Sequence, residues 1–230
     1  MRRFANLILL AAGLSGCATA QMTVPPEVAK DTDVIAATDR SSATGLFVDE
    51  SFKLGKLSID EVDRDWDSTS SVGVLAFSGE RTSGGYSYVV KGDGVQLKGG
   101  CMTEGSAKSF SMGSGMSIGK ESAKLGCTCG DEGTPITVVV EASTTKKYEG
   151  ELAVADKRYK VTAIYESDGM LSNGQPTGYR LDTGEGHARG AVEVLKPGRV
   201  WFPKNMDDAE RNQIACLYIG LMLYMPPDDH

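Results

Sequence analysis

Short runs in which apolar and polar residues alternate fill much of the chain, and glycine interrupts them. In the run 158–167, Tyr159 and Val161 fall on one face, and Lys160 and Thr162 fall on the other. This alternation is typical of a strand with one buried and one exposed face. The pattern predicts strands at residues 71–77, 85–91, 94–98, 135–142, 148–156, 158–167, 177–182, 190–196 and 198–202.

Turn-forming residues separate these runs. Gly92-Asp93-Gly94, Ser172-Asn173-Gly174 and Pro197-Gly198 suit tight connections, because glycine adopts positive φ at little steric cost. No long helical segment lies between neighbouring runs, so the sequence predicts an antiparallel meander. The glycine- and serine-rich stretch 99–122 is either a hairpin or a loop, since its weak alternation favours a strand but its glycine content weakens one.

The apolar run 214–225 predicts a buried helix. Acidic residues at its start favour a helix N-terminus, and Pro226 and Pro227 end it, so we predict a helix over 207–225. The apolar part spans about 18 Å at 1.5 Å per residue, whereas a bilayer core is about 30 Å thick. A helix that is apolar on every side must be surrounded by protein. The predicted fold is therefore mainly β, an antiparallel barrel or barrel-like sandwich with a buried hydrophobic C-terminal helix.

The end of the chain carries a family resemblance. The hairpin from Gly190-Ala-Val-Glu-Val to Gly198-Arg-Val-Trp-Phe, followed by a charged helix start and the apolar run, resembles the end of tubby-like and phospholipid-scramblase-like domains. The resemblance implies a barrel threaded by a hydrophobic C-terminal helix. The basic residues with which tubby proteins hold lipid headgroups have no matching cluster here, so phosphoinositide binding is not implied.

The first residues predict export. Arg2 and Arg3 precede an apolar stretch that suits a signal peptide over residues 1–16. The stretch ends in Leu14-Ser-Gly-Cys17, which resembles the lipobox of bacterial lipoproteins. That resemblance implies lipid attachment (palmitate among the acyl chains) at Cys17, and Ala18 is similar to the residue of lipoproteins sorted to the outer membrane. We expect a lipidated N-terminus and tether over 17–44, with a short helix around Glu27 to Thr38, and one β-rich domain over 45–230.

The charge of the chain excludes one class of partner. The formal net charge is −7, and removal of the two arginines of the leader makes it more negative. Nucleic acid is therefore not an expected partner, because its affinity comes largely from Lys and Arg contacts to phosphate. The expected partners are the membrane, through the lipid anchor, and a lipid or envelope protein.

Four cysteines remain after Cys17, and an exported chain favours disulfides between them. Cys127 and Cys129 face the same side of a strand, so each could meet Cys101 on a neighbouring strand. We favour Cys101–Cys127, with Cys101–Cys129 as the next pairing and Cys129–Cys216 as a second bond. A metal site is not predicted, because no histidine lies at ligand spacing.

One motif suggests an enzyme. Gly115-Met-Ser117-Ile-Gly119 matches the G-x-S-x-G nucleophile elbow, and Asp182 and His187 follow in the order of an α/β-hydrolase. An elbow requires a buried strand before it and a helix after it, and the flanking sequence favours neither. We therefore expect a non-enzymatic envelope lipoprotein without a cofactor, facing the periplasm, that binds a lipid, an envelope component or a partner protein. A periplasmic serine hydrolase using Ser117 and His187 is the alternative.

Overall fold

The computed structural model describes residues 20–41, 49–64, 84–92, 94–103, 109–112, 116–119, 123–130, 136–142, 148–154, 156–168, 175–183, 185 and 187–224. The helices are α1 (Pro26–Ala29) and α2 (Asp208–Leu223). The strands are β1 (Gln21–Met22), β2 (Thr32–Thr38), β3 (Phe52–Leu54), β4 (Leu57–Asp63), β5 (Gly84–Gly92), β6 (Val95–Thr103), β7 (Ser109–Met112), β8 (Met116–Gly119), β9 (Ala123–Gly130), β10 (Ile136–Ala142), β11 (Tyr148–Val154), β12 (Lys157–Ile164), β13 (Ser167–Asp168), β14 (Gly178–Thr183), β15 (Ala188–Glu193) and β16 (Arg199–Pro203).

Twelve strands form a closed barrel in the order β10-β11-β12-β14-β15-β16-β2-β3-β4-β5-β6-β9. All neighbours are antiparallel, and the pairing of β10 with β9 closes the cycle. Most neighbours follow one another along the chain, which confirms the predicted mainly β, antiparallel architecture. Every predicted strand within the described residues overlaps an observed one, and the predicted strand at 71–77 lies outside them.

The central segment contains a hairpin. β7 and β8 pair antiparallel with Ser109 opposite Gly119 and Met112 opposite Met116. This two-stranded sheet is separate from the barrel. Of the two structures that the sequence left open for residues 99–122, the hairpin is present, and the beginning of the segment continues β6 up to Thr103.

The predicted tether over 17–44 was wrong. β2 lies between β16 and β3 in the barrel wall, so the domain begins well before residue 45. The predicted helix at 27–38 shrinks to the single turn of α1. β-branched residues in the stretch Thr32–Thr38 favour an extended backbone, and the two flanking strands supply its hydrogen bonds. The closure of the barrel therefore decided the conformation of this segment.

Helix α2 occupies the interior of the barrel. Asp207 caps its N-terminus by accepting hydrogen bonds from the backbone N–H groups of Ala209 (2.9 Å) and Glu210 (3.2 Å). From Ile214 to Leu223 every side chain is buried, and these residues share one core cluster with the inward-facing residues of the wall. The predicted buried C-terminal helix is confirmed, with bounds two residues shorter at its end.

Residues 20–31, here called the N-terminal strap, cross the outer face of the barrel. β1 pairs with β13, and Met22 and Val28 pack on outward-facing residues of the wall, including Trp201. A partly buried ion pair lies beneath: the buried Glu193 accepts hydrogen bonds from the Met22 backbone N–H (2.5 Å) and from Nε of the half-buried Arg199 (2.7 Å). The strap is therefore a packed part of the domain.

Candidate functional site

Inside the barrel the wall contacts α2 directly, and no space for a ligand remains at these contacts. Tyr86 Oη donates to the Gly220 carbonyl (2.7 Å), and Tyr88 Oη donates to the Cys216 carbonyl (2.9 Å). Burial raises the pKa of both phenols, so they stay neutral donors. A Cβ on Gly220 would lie 2.8 Å from Cys101 Sγ, so the wall packs directly on the helix backbone.

Both disulfides lie in this core. The structure pairs Cys101 with Cys127, which are directly opposite on β6 and β9. It pairs Cys129 with Cys216, which joins the barrel wall to the central helix. These are the first pairing that the sequence favoured and the second bond that it suggested. All four sulfurs are engaged, so no thiolate is left for a metal in this cluster.

Two arginines close the barrel at the C-terminal end of α2. Arg64 donates from Nη2 to the Leu223 carbonyl (3.0 Å), and Arg40 donates to the carbonyls of Met222 and Pro197. Glu50 accepts two hydrogen bonds of 2.6 Å from Arg64. Burial lowers the pKa of Arg40 to about 10. Cations here satisfy helix carbonyls and oppose the helix dipole, so this end is a structural cap.

The other end of the barrel opens into a cavity of about 740 Å³, here called the mouth cavity. The beginnings of β12, β15 and α2 and the ends of β14 and β16 surround it. Its charged lining residues are Asp31, Lys157, Arg158, Arg189, Lys204, Asp207 and Glu210. A cavity of this size can hold a small molecule or part of a larger one.

Glu210 links α2 to the barrel wall inside the mouth cavity. It accepts hydrogen bonds from Lys157 Nζ (2.5 Å) and from Tyr159 Oη. Burial raises the pKa of Glu210, but these two hydrogen bonds outweigh burial, and the pKa falls below its usual value of 4.5. Burial, the hydrogen bond to Glu210 and the charge of Glu210 raise the pKa of Tyr159. Glu210 is therefore ionised near neutral pH and its charge is compensated by Lys157.

Two cations of the mouth cavity have no such partner. Among the residues that the structure describes, neither Arg189 nor Lys204 makes a side-chain hydrogen bond or an ion pair. Thr183 also lines the cavity, and its Oγ1 is buried without a hydrogen-bond partner there. Asn205 adds a carboxamide. The side chains of Arg189, Lys204 and Asn205 therefore offer hydrogen-bond donors to the same space.

The three residues of the predicted hydrolase lie on different elements: Ser117 in β8, Asp182 in β14 and His187 directly before β15. Ser117 stands within β8 opposite Ser111, so the motif is a strand paired in a hairpin instead of a strand-to-helix turn. His187 is exposed and lies 3.9 Å from Glu185. Arg180 Nε lies 2.9 Å from Asp182 Oδ1, so this carboxylate is engaged by an arginine. Cys17 lies outside the described residues.

The sequence does not predict the mouth cavity. Its lining comes from short segments between residue 31 and residue 210, and no motif links them. Arg189 and Lys204 each occur singly after or before apolar runs, as surface cations usually do. Only the closure of the barrel brings them together.

The fold is an antiparallel barrel filled by its own helix, with an open mouth at one end. Comparison of the chain with protein-family models, with curated protein sequences and with solved structures found no match. Within the described ranges, neither helix is long and apolar enough to span a membrane.

Proposed function

We propose that this chain is a bacterial envelope lipoprotein, anchored in the outer membrane by lipid on Cys17 and facing the periplasm. It is non-enzymatic and uses the outside of its barrel to bind a lipid, an envelope component or a partner protein. The observation that carries the binding part of the proposal is the filled lumen: α2 occupies the interior and is bonded to the wall through Cys129–Cys216. A ligand must then bind at the surface, and the mouth cavity, with a volume of about 740 Å³, offers unused donors there.

Two features support export and anchoring. The stretch Leu14 to Cys17 has the lipobox pattern, and disulfides suit an oxidising compartment. The N-terminal strap adds a geometric consequence. Met22 is hydrogen-bonded to the barrel, and the four residues between it and Cys17 allow a reach of at most about 18 Å. The anchored domain would therefore sit against the membrane, with its β1–β13 edge nearest the lipid.

The anchor is tested with the full chain and a Cys17→Ser variant expressed in a bacterial host. We expect the full chain in the outer-membrane fraction with the mass of a lipidated Cys17 N-terminus, and the variant without lipid and absent from the outer-membrane fraction. An unlipidated full chain, or a variant that still reaches the outer-membrane fraction, would overturn the anchor.

Surface binding is tested by native mass spectrometry of the domain from Ala18 onward, expressed in the periplasm without its lipid. A filled lumen predicts a bare monomer mass. A lipid-sized adduct that dissociates only on denaturation would contradict the proposal that the ligand binds at the surface, because it would place a ligand inside the barrel.

A further inference from the structure

We propose that the mouth cavity is an oxyanion site that binds a carboxylate or phosphate group of its ligand. This inference rests on the proposed binding role of the outer surface and is independent of the lipid anchor. The donors are Arg189, Lys204 and Asn205, which line one cavity and whose side chains make no hydrogen bond with the rest of the described protein.

The charges around the mouth cavity favour an anion. Lys157 compensates Glu210 at 2.5 Å, and Arg158 is 3.4 Å from Glu151 outside the cavity. Asp207 is held by two backbone N–H groups at the positive end of the α2 dipole. Arg189 and Lys204 share the cavity with two exposed carboxylates, those of Asp31 and Asp207. The lining as a whole has four positive and three negative side chains, a net charge of +1, in a chain whose net charge is −7.

The uncharged groups suit an oxyanion as well. The Asn205 carboxamide lines the same cavity and can donate to an anion there. Guanidinium, ammonium, hydroxyl and carboxamide groups are the usual donors to carboxylate and phosphate oxygens. A cavity of 740 Å³ is much larger than one such group, so the ligand carries the oxyanion on a larger body.

The alternative use of these cations would be solubility. Isolated surface lysines and arginines are common, and each alone would carry no conclusion. Here two of them share a concave surface with the Asn205 carboxamide, at the end of the barrel opposite the arginine cap.

The experiment is a titration followed by ¹H–¹⁵N NMR spectra of the disulfide-intact domain from Ala18 onward. The probes are sodium phosphate and sodium acetate, with sodium chloride added to keep the ionic strength constant. NMR detects millimolar binding, which is the affinity expected for a bare group. We expect saturable shifts at Thr183, Arg189 and Lys204 with at least one probe, and the stronger probe identifies a phosphate or a carboxylate ligand.

Matched variants locate the binding. Arg189→Gln and Lys204→Gln should each weaken the Kd by about tenfold, since a charge-assisted hydrogen bond is lost. Lys160→Gln is the control, because Lys160 lies on β12 outside the cavity and is 3.6 Å from Glu149. Each variant's spectrum shows directly whether it remains folded.

Three outcomes would overturn the oxyanion site: no saturable shift with either probe, equal shifts with chloride alone, or equal weakening in Lys160→Gln. Such a failure does not affect the lipoprotein proposal if the Cys17→Ser variant is absent from the outer-membrane fraction. Conversely, saturable binding with an unlipidated Cys17 would support the site and reject the anchor.

Discussion

Single atoms decide how closely the barrel wall approaches its helix. At Gly220 an added Cβ would lie 2.8 Å from both Cys101 Sγ and Tyr88 Oη. We expect Gly220→Ala to lower the free energy of unfolding, because overpacking of about 1–3 kcal/mol exceeds the gain in helix propensity of about 1 kcal/mol. Urea unfolding measures the change.

The control for Gly220 is the same substitution in a protein that already carries Cys101→Ala and Cys127→Ala. Cys101 Sγ, one of the two atoms at 2.8 Å, is then absent, so Gly220→Ala should lower the free energy of unfolding by a smaller amount. An equal loss in both backgrounds would contradict the steric explanation.

Glu210 predicts a pH dependence at the residue scale. Its folded pKa is lowered, so its stabilising contribution is complete above the unfolded value of about 4.5 and is lost as the pH falls through the lower folded value. Glu210→Gln should therefore cost about 1–2 kcal/mol at pH 7 and much less at pH 3. Urea unfolding at both pH values tests this, and a loss independent of pH would contradict it.

At the scale of elements, two disulfides hold different parts together. The Cys129–Cys216 bond closes 87 residues and the Cys101–Cys127 bond closes 26. Replacing the first pair by alanine should cost about 1 kcal/mol more than replacing the second, because the entropy of loop closure grows with loop length. Urea unfolding of the two double variants measures this difference.

Thiol quantitation supplies the complementary test. The domain from Ala18 onward should show no reactive thiol when it is denatured without a reductant. Four reactive thiols would contradict both bonds.

The N-terminal strap is a second element-scale feature. Glu193 is 2% exposed and joins Met22 to Arg199. Glu193→Gln removes the negative partner of Arg199, which should cost about 2–3 kcal/mol and speed hydrogen exchange at Met22 and Val28. The exposed Glu151, paired with Arg158, is the control: Glu151→Gln should stay within about 0.5 kcal/mol of wild type. If both variants lost a similar amount of stability, the proposed role of Glu193 in holding the N-terminal strap to the barrel would be contradicted.

At the scale of the whole molecule, the positions of Ser117 and Asp182 in the fold are relevant to the alternative function, a serine hydrolase. Ser117 lies in a strand, and Asp182 is engaged by Arg180. We expect no labelling of the folded domain by a serine-directed fluorophosphonate, with a known serine hydrolase in the same sample as the positive control. Labelling that disappears in Ser117→Ala would contradict the non-enzymatic proposal.

The elements that depend on neighbouring residues could be predicted from the sequence alone. Alternation in Lys157–Ile164 and β-branched runs such as Ile136–Ala142 predict strands locally, and a charged start followed by apolar residues predicts α2. The burial of α2 also followed from sequence, because an apolar run too short for a bilayer needs a protein core.

Features formed by residues far apart in sequence became visible in the folded chain. Thr32–Thr38 became a wall strand because β16 and β3 offered free edges on both sides. The mouth cavity required the ends of β14 and β16 to meet the start of α2. Local sequence patterns do not show which distant segments come into contact, because strand pairing and barrel closure depend on the whole chain. For that reason the helix was predictable from the sequence and the candidate site was not.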